Sequence, residues 1–278
     1  MITKVTKNNG ILQAGLIHRD IAKKLITENH YSKTWNTSFG IMNYGLFQND
    51  RLLGVAVYGN LMNPDSRKNI SDDSDSVIEL NRLWIDDCLG KNSETTFLSM
   101  TFKMLKSTTG YKHIQSFADG RLGCGTIYKA ANFLYYGYSS SIFFENEVTK
   151  DVYHKVTLEN TKRPTSMLSR NRLFLDGSLK SFRVKTYRYI YDLYPKKHSC
   201  KLNPIEYPSY SIGTEEFSEN VFSKDHLARL ANMYLSSGDQ KYHDKAFEKG
   251  TELFGESFLT SYKKLANDVP TLEQFMEN

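Results

Sequence analysis

Apolar residues recur at Ile21, Ala22, Leu25 and Ile26, the spacing of one helix face, and that run stops at Asn29-His30. Residues 39–60 (FGIMNYGLFQNDRLLGVAVYGN) then predict two strands joined at Gln48-Asn49-Asp50, where Asn and Asp tolerate turn geometry. The polar, turn-rich stretch 63–76 predicts a mobile loop, and the dense apolar run 77–85 (VIELNRLWI) suits a central strand. A helix follows from Asn92 or Ser93 as cap, with Phe97, Leu98, Met100, Thr101, Met104 and Leu105 as its stripe. Residues 113–118 read as a short strand, 125–137 as a helix stopped near Gly137, and 139–158 as an extended pair. The order predicts an α/β fold in which helices flank a sheet of mixed direction.

Beyond 160 the texture changes. Residues 187–197 (YRYIYDLYPKK) resemble a strand followed by an arm, in a stretch punctuated by Pro164, Pro195, Pro204 and Pro208. From 214 the chain predicts two helices, over 215–238 and 244–268, with Gly238 closing the first and Pro270 following the second. The expected organisation is a core over 1–160, a basic aromatic extension over 161–210 and an acidic helical tail over 211–278, with no internal repeat.

Charge sharpens that division. The net charge of +5 is modest, but eleven Lys and Arg lie between 162 and 201 against Asp176 and Asp192 alone. From 205 onward 13 Asp and Glu face 7 Lys and Arg. A basic stripe beside an acidic tail is a stronger partner signal than the total. Aromatics make up 13% of the chain, which suits base stacking and core tyrosines alike. Cys88, Cys124 and Cys200 form no CxxC pair, so neither a zinc cage nor a disulfide framework is expected. With no apolar leader and no membrane-length stretch, a soluble cytoplasmic protein is expected.

The element order from 18 to 145 is similar to the GNAT acyltransferase fold, in which a long strand leads into a pyrophosphate loop and a helix. A sharper resemblance is to the Mom family of phage DNA-modification proteins. It is carried by ENHYSK (28–33), ELNRLWI (79–85), NSETTFLS (92–99), SFADGRLGCGTIYKAANFLYYG (116–137) and the trailing YRYIY, and covers roughly 18–210. That resemblance implies a GNAT-like core with a C-terminal helical extension, in a phage-infected bacterial cytoplasm. It also implies double-stranded DNA as partner and adenine carrying a carbamoylmethyl group on N6, a modification that blocks restriction. An acetyl-CoA-like acyl donor is implied as cofactor, and iron as an assisting ion.

On these positions His30 is a candidate base or metal ligand, or a helix-ending histidine that caps carbonyls. Tyr31 can donate a proton or order a base, and Asp119 can orient the N6 amine, ligate a metal with His30, or serve as a turn residue. Ser116 can bind substrate or bond to backbone. Arg82 lies inside the most apolar strand, where an unpaired guanidinium is costly, so it must meet a carboxylate, a phosphate or solvent. Glu79, three positions away, falls on the opposite face of a regular strand. By resemblance to such acyltransferases Tyr128 is a candidate acid for a leaving thiolate, or equally a tyrosine that lines the core.

The acyl donor would touch Leu83, Ile85, Lys91, Asn92, Ser93 and Thr95, although the RxxGxG signature of the GNAT loop is missing. The glycines at 120, 123 and 125 read as a substrate-side loop that lets backbone approach a ligand. DNA would be contacted by Arg170, Arg172, Arg183, Lys185, Arg188, Lys196 and Lys197, unless that stripe is merely a solvated face. An ordinary N-acyltransferase acting on a protein or small amine, and a non-catalytic nucleic-acid-binding protein, remain open as alternatives. The tail is left as a homodimerisation element, an inhibitor lying on the stripe, or a docking module.

Overall fold

The computed structural model describes residues 1–197, 200–216 and 221–266. In chain order the elements are β1 (Ile2–Thr6), β2 (Gly10–Leu16), α1 (Arg19–Asn29), β3 (Met42–Gln48), β4 (Arg51–Gly59), α2 (Arg67–Ile70), β5 (Val77–Ile85), α3 (Ser93–Thr108) and β6 (His113–Asp119). Then come α4 (Thr126–Ala130), β7 (Leu134–Asn146), β8 (Val152–His154), α5 (Lys155–Glu159), α6 (Pro164–Leu175) and β9 (Leu179–Asp192). The last are β10 (Glu215–Glu216), α7 (Lys224–Ser236), α8 (Gln240–Phe254) and α9 (Glu256–Leu265). The sheet is mixed: β5 and β6 run parallel, while β1–β2, β2–β3, β3–β4, β4–β5, β6–β9 and β7–β8 pair antiparallel. The fold is therefore α/β, with helices flanking a large mixed sheet.

The chain divides into two compact units. The first comprises 1–139 and 185–213, and the second 140–184 and 214–278. In the first, a core of Tyr44, Leu46, Ala56, Tyr58, Phe97, Leu98, Leu105, Ile114, Phe133 and Tyr189 lies between sheet and α3. In the second, α7, α8 and α9 close on one another around Leu227, Tyr234, Ala246 and Phe258. Gly250 has no room for a Cβ against the Phe258 ring, so α8 and α9 touch there at backbone distance.

Several expectations change. Residues 1–16, which carry no strong alternation, form the hairpin β1–β2. The helix expected over 125–137 lasts only from Thr126 to Ala130. Asn132 adopts φ 62°, ending the turn, and the aromatic run after it enters β7 because such side chains pack well on a pleated surface. The stretch 63–76 is not an open loop but two 3₁₀ turns around α2, anchored by fully buried Ile70. Within 139–158, Lys155–Glu159 is helical, and α6 was hidden among the basic residues although Pro164 at its first turn is a start signal. Among its described residues the tail holds three helices rather than two, because Gly255 (φ 54°) breaks the second. The first expected tail helix begins only at Lys224, and residues 217–220 and Pro270 lie outside the described residues. All three cysteines are free.

Candidate functional site

The site is set by a place where two parallel strands part. β5 and β6 pair through Val77–His113, Ile78–Ile114 and Glu79–Gln115, and no further. At the next position the Ser116 hydroxyl, fully buried, reaches across to the Leu80 carbonyl (2.9 Å) in place of a backbone bond. Beyond that bridge the carboxyl ends diverge, the position where α/β sheets hold ligands.

The cause of the parting is visible in the opposite pairing. Val57 faces Arg82 and Tyr58 faces Leu80, so Asn81 is an extra residue bulged out of β5. The bulge resets the alternation, and Glu79 and Arg82 fall on one side rather than on opposite faces as a regular strand requires. Gly59 makes room: a Cβ there would meet the Ser38 carbonyl, Asn81 Oδ1 and the Phe39 backbone. Asn81 Nδ2 then donates to Glu79 (3.0 Å) and to the Asn60 carbonyl (3.2 Å). Arg82 leaves the bulge with one nitrogen donating to the Asn81 carbonyl (2.6 Å) and another to Thr34 Oγ1 (2.9 Å), its plane over the Phe39 ring. Its Nε is buried without a partner. No ion pair to Arg82 is present among the described residues, so its charge remains available to a ligand.

His30 ends α1 and is buried. The Ser32 amide, which can only donate, points at His30 Nδ1 (3.2 Å), so the neutral ring carries its proton on Nε2. Burial first, and the Arg82 charge second, push the imidazole down to about 4, so it is neutral at neutral pH. It therefore offers an N–H to a ligand, and a base or metal-ligand role at Nε2 requires the other tautomer. Tyr31 packs against this ring (4.2 Å between centroids) while more than half of its own surface is exposed. Burial, then the Asp119 charge, push its hydroxyl up to about 12.

Asp119 closes β6. Its carboxylate accepts the Arg121 amide and is gripped by the guanidinium at 2.5–3.1 Å. Tyr128, on α4, shares a 2.9 Å hydrogen bond with Ser116, and burial raises its hydroxyl above the ordinary tyrosine range. The charges of Arg82 and Asp119 act on both His30 and Tyr31, and Tyr31 and Tyr128 act in turn on Arg82. Sequence reasoning missed Arg121, although an acid two positions before an arginine in ADGR was a usable signal. It also missed Gln115, which donates to Glu79 (3.1 Å) and accepts from Arg188 (2.8 Å).

The six residues expected around an acyl donor do not form one surface. Leu83 and Ile85 pack against the core, and Ser93 is buried with its hydroxyl turned back to the Gly90 carbonyl. The Gly90 amide is already taken by Asn9 of the β1–β2 turn (2.5 Å), and Asn8 bonds the Lys91 carbonyl (3.3 Å). Asn92 sits at φ 69° with no side-chain cap bond, so it caps α3 by backbone alone. Thr95 is different. With Lys4, Lys103, Lys106, Thr96 and Ser99 it lines an open cleft of about 410 Å³ along α3. Three ammonium groups beside hydroxyls and a helix amino end suit the phosphates of an extended anionic cofactor. Iron is not suited. Among the described residues no three His, Cys, Asp or Glu side chains assemble, and Asp119 is committed to Arg121 with Arg82 nearby.

Two glycines of the 120–125 loop are tightly packed, Gly120 against the Lys185 carbonyl and Gly125 (φ 90°) against Tyr189, whereas Gly123 has only the Tyr210 ring near it. The basic stripe is dispersed. Arg170 stacks on Tyr153, Arg172 pairs with Asp239 (2.7 Å), and Arg183 is exposed opposite Glu215, all in the second unit. In the first unit Lys185, Lys196 and Lys197 are exposed, but Arg188 turns inward to Gln115. No described helix is long and apolar enough to cross a membrane.

Comparison with known proteins adds identity. The chain is 33% identical over 148 residues to the methylcarbamoylase Mom of Escherichia phage Mu, covering 51% of this chain and 60% of that protein's length. Among solved structures it is similar to an N-acetyltransferase from Staphylococcus aureus Mu50, at TM-score 0.38 and 12% identity over 66% of this chain and 98% of that one. It is also similar to the ribosomal-protein-S18-alanine N-acetyltransferase of Escherichia coli, at TM-score 0.38 and 9% identity over 66% and 94%. At such scores the structural likeness is loose. The model of the Mom protein family matches residues 12–209, well over half of the sequence, including His30, Tyr31, Arg82, Asp119 and Tyr128. This chain belongs to the Mom protein family.

Proposed function

We propose that this protein is a transferase that modifies adenine at N6 in double-stranded phage DNA, attaching a carbamoylmethyl or related acyl-type group that blocks restriction. The observation that carries the reading is the convergence of His30, Tyr31, Arg82, Asp119 and Tyr128 from four separate segments on the mouth where β5 and β6 part. The name of the phage Mu relative, a methylcarbamoylase, supports the group transferred.

In this reading the adenine ring stacks on the exposed face of Tyr31, and the Asp119 carboxylate accepts an N–H of the N6 amine. The Arg121 clamp keeps that carboxylate from swinging. His30, neutral and protonated on Nε2, donates a hydrogen bond to the oxygen on which negative charge grows, and Arg82 adds a fixed positive charge beside it. Tyr128 retains its proton at neutral pH, so it is a donor within the same cluster. An acyl-CoA, when bound, would supply an activated acyl group, the thioester C–S bond breaking as the N6–carbonyl bond forms, with the N6 proton passing to Asp119 and the thiolate leaving. A carbamoylmethyl group, joined through a methylene, would need a donor other than that thioester. Lys4, Lys103 and Lys106 would hold its phosphates in the cleft along α3.

The test is nucleoside mass spectrometry on DNA from cells expressing the wild type and Asp119→Asn. A new adenine-derived mass that is lost in the variant is expected. A new mass on another base would retire the adenine assignment, and none in a folded wild type would retire DNA modification.

A further inference from the structure

Adenine N6 is inaccessible inside a stacked duplex, so an enzyme acting there must extrude the base and fill or brace the gap it leaves. Resting on the adenine-modification reading, we propose that Leu122, backed by Tyr210, is the wedge that enters the base stack of duplex DNA when the target adenine swings into the site. A single exposed leucine needs no explanation by itself. This one combines four features.

Its position is the first. Leu122 sits one residue beyond Arg121, in the turn whose amide bonds the Asp119 carbonyl (2.9 Å), so it stands at the rim of the cluster that would receive the base. Its display is the second: Leu122 is 58% exposed and Tyr210 72%, in contrast to the buried Cys124 beyond them. A Cβ on Gly123, the next residue, would lie 3.8 Å from the Tyr210 ring, so Tyr210 stands against the turn that carries Leu122.

Stiffness is the third feature, because a wedge must not fold away under load. The Gly120 amide donates to the Lys185 carbonyl (2.8 Å), and the Gly120 carbonyl accepts from the Gly213 amide (3.0 Å). Tyr187 and Ser211 share a 2.7 Å hydroxyl bond that ties the irregular segment carrying Tyr210 to β9. The Asp119–Arg121 clamp locks the turn from the other side.

The fourth is charge. Exposed Lys185 is held over the Tyr138 ring (5.2 Å), and exposed Lys129 over the Tyr207 ring (5.0 Å). An apolar tip at the rim of the candidate site, on a unit that also displays two ordered cations, matches a duplex whose phosphates run close to one opened step. A protein partner would be matched by the apolar patch alone and would not depend on base pairing.

The experiment compares two oligonucleotide duplexes, one with the target adenine paired to thymine and one with it opposite an abasic site, where extrusion costs little. Leu122→Ala should modify the paired substrate roughly tenfold or more slowly than the wild type, yet the abasic substrate within about twofold. Leu122→Met should stay near wild type on both. With 2-aminopurine at the target position, the fluorescence rise on binding should shrink in Leu122→Ala and in Tyr210→Ala, while thermal melting of both proteins stays unchanged. Equal losses on the two substrates, or none on either, would overturn the wedge. A wild type that modifies neither substrate defeats the transferase reading instead, and the fluorescence comparison then decides the wedge by itself.

Discussion

Each unit of the molecule contains one histidine with the same two properties and a different meaning. His30 in the first unit and His226 in the second are both 7% exposed, and both are pushed down to about 4, chiefly by burial. His226 stacks on Phe222 among apolar neighbours, Lys155 and Arg229 depress it further, and its Nε2 is buried without a partner. His30 has Ser32 on Nδ1, an exposed aromatic beside it, and Arg82 and Asp119 within electrostatic reach. A perturbed histidine marks burial. What marks a site is the company of opposed charges at an opening in the sheet.

The comparison can be broken most decisively by activity. His30→Ala should lower the rate of adenine modification by roughly 10²–10⁴-fold, the range for loss of a positioned proton donor, measured as single-turnover rates on duplex DNA. His226→Leu should leave that rate within about twofold. A smaller effect comes from the cofactor cleft: Lys103→Ala combined with Lys106→Ala should raise KM for the acyl donor by about tenfold with kcat little changed, the mark of lost ground-state binding.

Stability sharpens the contrast further. Both histidines bind protons more weakly folded than unfolded, so their stabilising contribution is intact above about 6.5 and is lost as pH falls towards about 4. His226→Leu removes one of the two and should make chemical denaturation less sensitive to acid, by roughly 2 kcal/mol between pH 7 and 4.5. A slope unchanged in His226→Leu would mean that His226 is already protonated in the folded state. The smallest expected effect is Asn9→Ala, which frees the Gly90 amide and should cost about 1 kcal/mol in stability without changing the rate of modification.

The sheet and most of the site residues were legible because their signals are local or carried by family motifs. ENHYSK and SFADG supplied His30, Tyr31, Ser116 and Asp119, and the continuous apolar run of 77–85 announced a central strand. Other features depend on residues far apart in sequence. The bulge at Asn81 needs the backbone of Gly59 and the 38–39 segment beside it, so no periodicity in β5 reveals that Glu79 and Arg82 share a side. The occupation of the Gly90 amide by Asn9 joins residues 81 apart. Likewise, the inward turn of Arg188 depends on Gln115, and a charge count along the chain treats it as surface.

The central claim, that the mouth between β5 and β6 is where adenine is modified, is tested most directly by quantifying modified adenine in DNA from cells expressing wild type, His30→Ala and His226→Leu at matched soluble levels. The account predicts the modified nucleoside in the wild type and in His226→Leu, and its loss in His30→Ala. Full modification in His30→Ala, or equal loss in both variants, would contradict it.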